Sequence, residues 1–350
     1  MAEGIAMPTL EASRLSDFVA CLFEAAGTPE DIARLVAESL VTSELAGHAS
    51  HGVIRVRQYL EAITAGDITP AARPVITRET DTIAMVDAQR GFGQLGAHFA
   101  MSVTIDKARS QGVAATGVFN CYHVGRLGEW VEMAAKRSMI GLAFCNGGRP
   151  GGGVAPYGGA ARALGTNPIA AAVPVADRPP VVIDFATSAT AEGKLRVARN
   201  RGQRIPEGWI LDAQGRPSTD PNDYYEGGML LPAAGHKGYG LSLLVEFLGG
   251  VLTGRGCPAL PDFLPGNGVL FLALSIEAFR PLEDFLKEGA ALCDRIKAVP
   301  PAEGFDEVLL PGEPEYRTAE RRRKEGIPVD EATWGWLTEA AAQLGVTPPA

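Results

Sequence analysis

A chain of 350 residues, 46% of them hydrophobic and 21% charged, is long enough to bury more than one core, and two domains are expected. Its formal net charge of -9 repels polyanions over most of the surface. The one dense basic run, Arg321-Arg322-Arg323-Lys324, stands among glutamates in a predicted helix and reads as a solvated face, which argues against nucleic acid as a partner.

Leu10, Leu15, Phe18, Val19, Leu22 and Phe23 recur at helical spacing until Gly27 ends the helix. Thr28-Pro29-Glu30-Asp31 then reads as a cap, a proline at the first helical position and acids in the first turn, opening a second helix through Ile32, Leu35, Val36 and Leu40. A third helix, 53–65, is closed by Gly66 and followed by the Pro70/Pro74 connection. From residue 76 the texture changes. Strand-prone runs at 82–86, 113–119, 139–145, 181–185 and 268–275 alternate with helical patterns at 94–111, 126–138 and 236–252, the mark of an α/β (α+β) fold. The interval 146–180, rich in Gly, Pro and Ala, reads as a ligand-binding loop region, and the polar stretch from Arg199 to Asn222 as a lid or surface excursion. Helices return at 280–297, 315–325 and 329–343, and the N-terminal helical layer is their simplest partner. The expected organisation is a discontinuous helical domain, 1–75 with 277–350, beside an α/β domain at 76–276, with the active site between them.

The five cysteines include no CxxC pair, no basic segment leads into an apolar one near the start, and no apolar run is long enough to span a bilayer. Reduced thiols, a cytoplasmic location and no membrane association are expected.

Chemistry concentrates in Ala49-Ser50-His51-Gly52-Val53 with Arg55 close behind: an alcohol, an imidazole and a guanidinium in a chain with only five histidines. An imidazole titrates near neutrality, an arginine grips a carboxylate with two donors, and glycine after the histidine leaves room for a ligand to approach. His123 follows a strand-prone run and precedes a helix starting near Arg126, where helix N–H groups face an anion, and reads as a second acid/base or a cofactor contact. Asp184 ends the apolar run Val181-Val182-Ile183 and is a candidate to orient His51, giving a relay of Ser50, His51 and Asp184. A serine hydrolase is disfavoured because Ser50 sits in no GxSxG elbow and is adjacent to its own histidine. His48 and His51 lack a compact third ligand and the HExxH arrangement, so no metal is expected. GxxxxGK[ST] is absent, and the glycine run 147–153 lacks the strand-turn-helix grammar of a Rossmann fingerprint, which disfavours an ordinary dinucleotide fold. Gly165-Thr166-Asn167-Pro168, the segment from Asp184 to Ser188 and Gly235-His236-Lys237-Gly238 are better placed, the last as an anion site at a helix start.

Together SHGVIR at 50–55, GFGQ at 91–94, the Asn, His and Gly of 120–125, GTNP at 165–168, DFATS at 184–188, AEGK at 191–194, IPEGWILDAQGRPSTDP at 205–221, GHKGYGL at 235–241 and PGE at 311–313 resemble the type 2 malate/L-lactate dehydrogenases. The resemblance implies a nicotinamide-binding domain with a largely antiparallel sheet, NAD or NADP as cofactor, and a homodimer. By motif, His51 resembles the acid/base, Ser50 and Asp184 its relay partners, and Arg55 and Thr166 the substrate contacts. His123, Val124, Gly125, Arg126, Leu127, Asp184, Ala186, Thr187, Lys237 and Gly238 resemble cofactor-site residues, and His123 is an alternative acid/base, as in some members. Two departures stand out: Glu44, where the family often has Asp, and Ala234, where it commonly has glycine.

The implied reaction is reversible hydride transfer between nicotinamide and C2 of a small 2-hydroxy or 2-oxo acid. Ureidoglycolate, sulfolactate and the cyclic imino acid piperideine-2-carboxylate are alternative substrates, and a non-catalytic binding protein is the reading from a different class.

Overall fold

The computed structural model describes residues 8–349, and helices from both ends of the chain meet in one layer. After a short strand β1 (Thr9–Leu10) come α1 (Ala12–Ala25), α2 (Glu30–Leu45) and α3 (Arg55–Thr64), which form where the apolar spacing predicts them. Pro29, not Thr28, occupies the N-cap of α2, and the buried Thr28 hydroxyl has no hydrogen-bond partner among the described residues.

The main sheet has seven strands: β2 (Val75–Glu79), β3 (Ile83–Asp87), β4 (Val113–Cys121), β5 (Met139–Gly148), β6 (Pro168–Val173), β7 (Val181–Ala186) and β11 (Gly266–Ser275). Their order is β2-β3-β4-β11-β5-β6-β7, and only β3 and β4 pair in parallel. The parallel pair exists because α4 (Gly93–Gln111) carries the chain back between those two strands. Between α4 and α5 (Leu127–Ala135) on one side and the strands on the other lies a core that includes Met101, Trp130, Val131, Val269 and Phe271. Small residues let α5 come close: a Cβ on Gly141 would stand 2.7 Å from the Val131 carbonyl oxygen, and Ala170 and Ala172 are fully buried.

An excursion after β7 builds a small lobe from α6 (Glu192–Asn200), β8 (Ile210–Leu211), β9 (Pro217–Ser218), α7 (Pro221–Tyr225) and β10 (Met229–Leu230), with Leu195, Ile210, Tyr224 and Leu230 in its core. The chain then enters α8 (His236–Val245), which continues as a π-helical segment, Glu246–Val251, against β5 and β11. The sequence pattern reads this stretch, 236–252, as one helix, and the backbone does run through both segments without a break.

Of the C-terminal elements, α9 (Leu282–Lys297) packs through Cys293 against Val175 and Leu310. α10 (Glu313–Glu325) leads to β12 (Ile327–Pro328), which pairs with β1, and α11 (Glu331–Leu344) joins α1–α3 through Leu337 and Ala341. Arg322 is not part of a solvated face. Its guanidinium binds the Glu44 carbonyl oxygen and stands 3.7 Å from the Glu44 carboxylate, so α10 is tied to α2.

Candidate active site

Ser50 and His51 lie in a 3-10 turn, Ala49–His51, between α2 and α3. Glu44 fixes that turn: its buried carboxylate accepts the Val53 N–H at 3.0 Å, and a Cβ on Gly52 would fall 2.0 Å from the same oxygen. The room that Gly52 provides is therefore taken by Glu44 and not by a ligand. Burial pushes the Glu44 carboxyl above its ordinary range, with the Val53 N–H opposing the shift.

Ser50 Oγ lies 3.0 Å from His51 Nδ1. One turn into α3, Arg55 Nε donates to the Ser50 carbonyl oxygen at 2.7 Å, and a terminal nitrogen of Arg55 donates to Gln58 at 2.7 Å. His123 arrives from the end of β4, and its ring stacks on His51 with centroids 5.6 Å apart and planes 23° from parallel. Behind it, Tyr59 Oη is 2.7 Å from His123 Nδ1, and Gln94 Nε2 donates to the same phenol oxygen at 2.8 Å. The start of α4 presses on this segment so closely that a Cβ on Gly93 would sit 2.2 Å from the His123 carbonyl oxygen. Burial and the Arg55 charge keep both imidazoles neutral: His51 is lowered to about 3 and His123 well below its usual value.

Asp184 is directed elsewhere. Its Oδ2 accepts the Gly128 N–H at 2.7 Å at the start of α5, and no hydrogen bond joins it to His51 among the described residues. The direct Ser50-His51-Asp184 relay expected from the sequence is therefore not formed, because the end of β7 faces the first turn of α5. Burial raises the Asp184 carboxyl, opposed by the Gly128 N–H and by Arg126. Arg126 is itself buried and donates to Glu132 at 2.9 Å.

Arg126, Asp184 and Phe185 line a cleft of about 470 Å³ whose other wall is the 309–316 segment, with His48 at its edge 3.3 Å from Glu315. Among neighbouring candidates, Val124 N–H donates to Asn267 at 3.0 Å, Gly125 has a φ of 77°, and Leu127 begins α5. Sequence reasoning did not select His48, Tyr59, Gln94, Glu132 or Tyr316. The PGE at 311–313 and the GFGQ at 91–94 were the available signals for this cleft and for Gln94.

The remaining candidates form a third group. Thr166 offers its carbonyl oxygen to the Thr187 N–H at 3.0 Å and hydroxyl at 3.1 Å, and the Thr187 carbonyl oxygen accepts from the Ala233 N–H at 2.9 Å. A Cβ on Gly238 would meet the Thr187 oxygen at 2.8 Å, which packs the start of α8 onto this strand end. Ala186 closes β7, and Lys237 is exposed in the first turn of α8. The small lobe reaches the histidine group at Gly193, where a Cβ would contact Ser50 Cβ at 3.5 Å.

Two neutral histidines beside a half-buried arginine form a site for moving a proton on a small anion, next to a cleft large enough for a second ligand. The chain belongs to the malate/L-lactate dehydrogenase family, whose profile matches residues 10–338, and is thereby a hydroxy-acid oxidoreductase. It is 38% identical over 343 residues to a malate dehydrogenase of Pyrococcus abyssi, covering 95% of this chain and 94% of that one. Among solved structures it resembles the sulfolactate dehydrogenase of Methanocaldococcus jannaschii, with a TM-score of 0.89, 35% identity and coverage of 97% and 98%. It also resembles the delta1-piperideine-2-carboxylate reductase of Pseudomonas syringae pvar. tomato, with a TM-score of 0.86, 31% identity and coverage of 95% and 100%. These matches agree with a mixed α/β fold and a mostly antiparallel sheet.

Proposed function

We infer that the protein is an NAD(P)-dependent dehydrogenase that transfers hydride reversibly between nicotinamide and C2 of a small 2-hydroxy or 2-oxo acid. The observation that carries this reading is the stacked His51–His123 pair with the Arg55 charge acting on both rings. The domain division is that expected from the sequence: a non-Rossmann domain at 76–276 that binds the nucleotide, beside a discontinuous helical domain built from 1–75 and 277–350. The location is cytoplasmic.

The cleft suits a nucleotide. Two buried atoms of its lining residues, Arg126 Nε and Tyr316 Oη, have no hydrogen-bond partner among the described residues, and a polar ligand would supply one. Arg126, Asp184 and the backbone from His123 to Leu127 would hold the cofactor from one side, with Ala186, Thr187, Lys237 and Gly238 along the adjoining strand end and helix start. A bound nicotinamide supplies or accepts the hydride.

The protein's own residues bind the acid and handle its proton. Arg55 grips the carboxylate through two donors, and Thr166 faces the substrate from the opposite loop. In reduction His51 delivers a proton to the developing alkoxide; in oxidation neutral His51 removes it. Ser50 Oγ supports both states by accepting from Nδ1–H, which leaves Nε2 of the neutral ring free to take the proton and holds the ring once it is protonated. Asp184 contributes by holding the first turn of α5 beside the cleft. Leu244, Phe247, Val251 and Leu252, 44%, 56%, 54% and 61% exposed, give a second copy an apolar face, and light scattering should return a dimer mass.

The test is loss of reduced-nicotinamide absorbance with NADH or NADPH and a panel of pyruvate, oxaloacetate, sulfopyruvate, oxalurate, phenylpyruvate, diketogulonate and piperideine-2-carboxylate. One pair dominating in kcat/KM is expected. No oxidation with any pair by folded, nicotinamide-binding protein would overturn the reading.

A further inference from the structure

Glu246 is only 4% exposed, at the point where α8 passes into its π segment, and none of the ion pairs among the described residues involves it. Its carboxylate is instead surrounded by neutral donors. Oε1 accepts from Asn167 Nδ2 at 2.8 Å and from the Gly165 N–H at 3.3 Å, and Oε2 accepts from Asn146 Nδ2 at 3.0 Å. Asn167 also donates to Ser242 Oγ at 2.9 Å, one turn earlier on α8. The two residues flanking Thr166 are therefore both bonded to one buried oxygen.

The surrounding backbone is built around this contact. Asn167 has a φ of 44°, in the left-handed region that asparagine enters more readily than other side chains. The π segment lets Gly249 and Gly250 lie against Asn146, where added Cβ atoms would fall 2.8 Å from its backbone nitrogen and 2.4 Å from its Nδ2. π segments cluster at functional sites because they re-aim a side chain that a regular helix would turn away. Here the re-aimed side chain is the carboxylate.

We propose that Glu246 is a positioning residue that clamps the Gly165–Asn167 loop to α8 and so sets where Thr166 meets the substrate. The proposal rests on the reading of Thr166 as a substrate contact. Glu246→Gln keeps the shape and removes one acceptor. The new amide nitrogen must face either the Asn167 and Gly165 donors or Asn146 Nδ2. Asn146 cannot turn over to accommodate it, because its Oδ1 already accepts the Gly268 N–H at 3.2 Å and its Nδ2 also donates to the Gly256 carbonyl oxygen at 2.8 Å.

Hydrogen–deuterium exchange and a double-mutant cycle test this together. In Glu246→Gln, exchange at Gly165–Asn167 should accelerate about tenfold or more while β11 amides stay unchanged. KM for the 2-oxo acid should rise about tenfold with the reduced-nicotinamide Kd within about threefold, and the effect should shrink to under about twofold in a Thr166→Ala background. Unchanged exchange, or the same loss with and without Thr166, would overturn the clamp. Thr166→Ala alone with unaltered kcat/KM would instead defeat the substrate-contact reading, and the exchange measurement would still judge the clamp. If Glu246→Gln does not fold, Glu246→Asp, which keeps the charge and withdraws the oxygens, carries the same measurements.

Discussion

The proposed reduction requires a proton on a histidine that burial and the Arg55 charge keep neutral. With His51 lowered to about 3, only about one molecule in ten thousand carries that proton at neutral pH. The four-unit gap corresponds to about 5 kcal/mol, and allowing for solvent that reaches the partly open ring leaves roughly 3–5 kcal/mol. Substrate binding lowers this cost, because its carboxylate neutralises Arg55, the charge that most depresses the ring after burial itself. The proton is thus taken up with the substrate. Between about pH 5 and about pH 9, kcat/KM for 2-oxo acid reduction should fall close to tenfold per pH unit, while kcat/KM for hydroxy-acid oxidation, which uses the neutral ring, stays flat. His51→Gln should lower turnover by about 100-fold or more, leave the nicotinamide Kd within about threefold and abolish the slope. Stopped-flow absorbance with an indicator dye reads rate and proton uptake together. A reduction kcat/KM that is flat with pH in the wild type, or a His51→Gln variant that keeps full turnover and the slope, would refute this role.

Arg55→Lys keeps the charge but loses the planar fork and the bond to the Ser50 carbonyl oxygen, so kcat/KM should drop roughly 30- to 160-fold, for about 2–3 kcal/mol; an unchanged value would count against a two-point grip. Glu129 is half-buried beside Ser39, which donates to it at 2.8 Å, and loss of solvent around its carboxyl raises it to about 7. Its unfolded form ionises near 4.5 while the folded form holds its proton to about 7, so the stability it contributes is complete below 4.5 and is lost as pH rises through about 7. Glu129→Gln should therefore gain about 2–3 kcal/mol relative to wild type in urea unfolding between about pH 5 and about pH 8, and a constant difference would exclude this. Ala234 carries a φ of 49° just before the α8 entry, so Ala234→Gly should stabilise the fold by about 0.5–1 kcal/mol; loss of stability on the same measurement would show that the alanine methyl packs usefully.

Long apolar patterns gave their elements directly, as with α1, α2 and the strand pair β4 and β11. β6 was hidden because Pro168-Ile169-Ala170-Ala171-Ala172-Val173 looks like loop composition; its alanines are small because α5 lies directly over them. β2 was hidden for the opposite reason: all five of its residues are exposed on an edge, so no burial pattern marks it. At the site, Ser50, His51 and Arg55 were legible because one turn and one helix bring them together within a few residues. The pairing of Tyr59 with His123 spans 64 residues and that of Asn146 with Glu246 spans 100, and no local spacing encodes either. Asp184 was legible as a carboxylate at a strand end but not in its direction, since only the packing of α5 on the sheet decides that it meets the Gly128 N–H.

The two histidines differ in what stands behind them, and that difference separates their roles. Gln94 Nε2 donates to Tyr59 Oη, and when the phenol gives its hydrogen to His123 Nδ1 the proton of neutral His123 lies on Nε2. Protonating His123 would place a hydrogen on Nδ1 against the hydrogen of the fully buried Tyr59 phenol. Ser50 Oγ, by contrast, is exposed and free to accept from Nδ1–H, so His51 gains and loses a proton at Nε2 without stranding a partner. A ring locked as an Nε2–H donor suits orienting a carbonyl, and a ring backed by a hydroxyl suits cycling a proton. The hydrogen bonding therefore favours His51 as the acid/base and His123 as the neutral donor beside it.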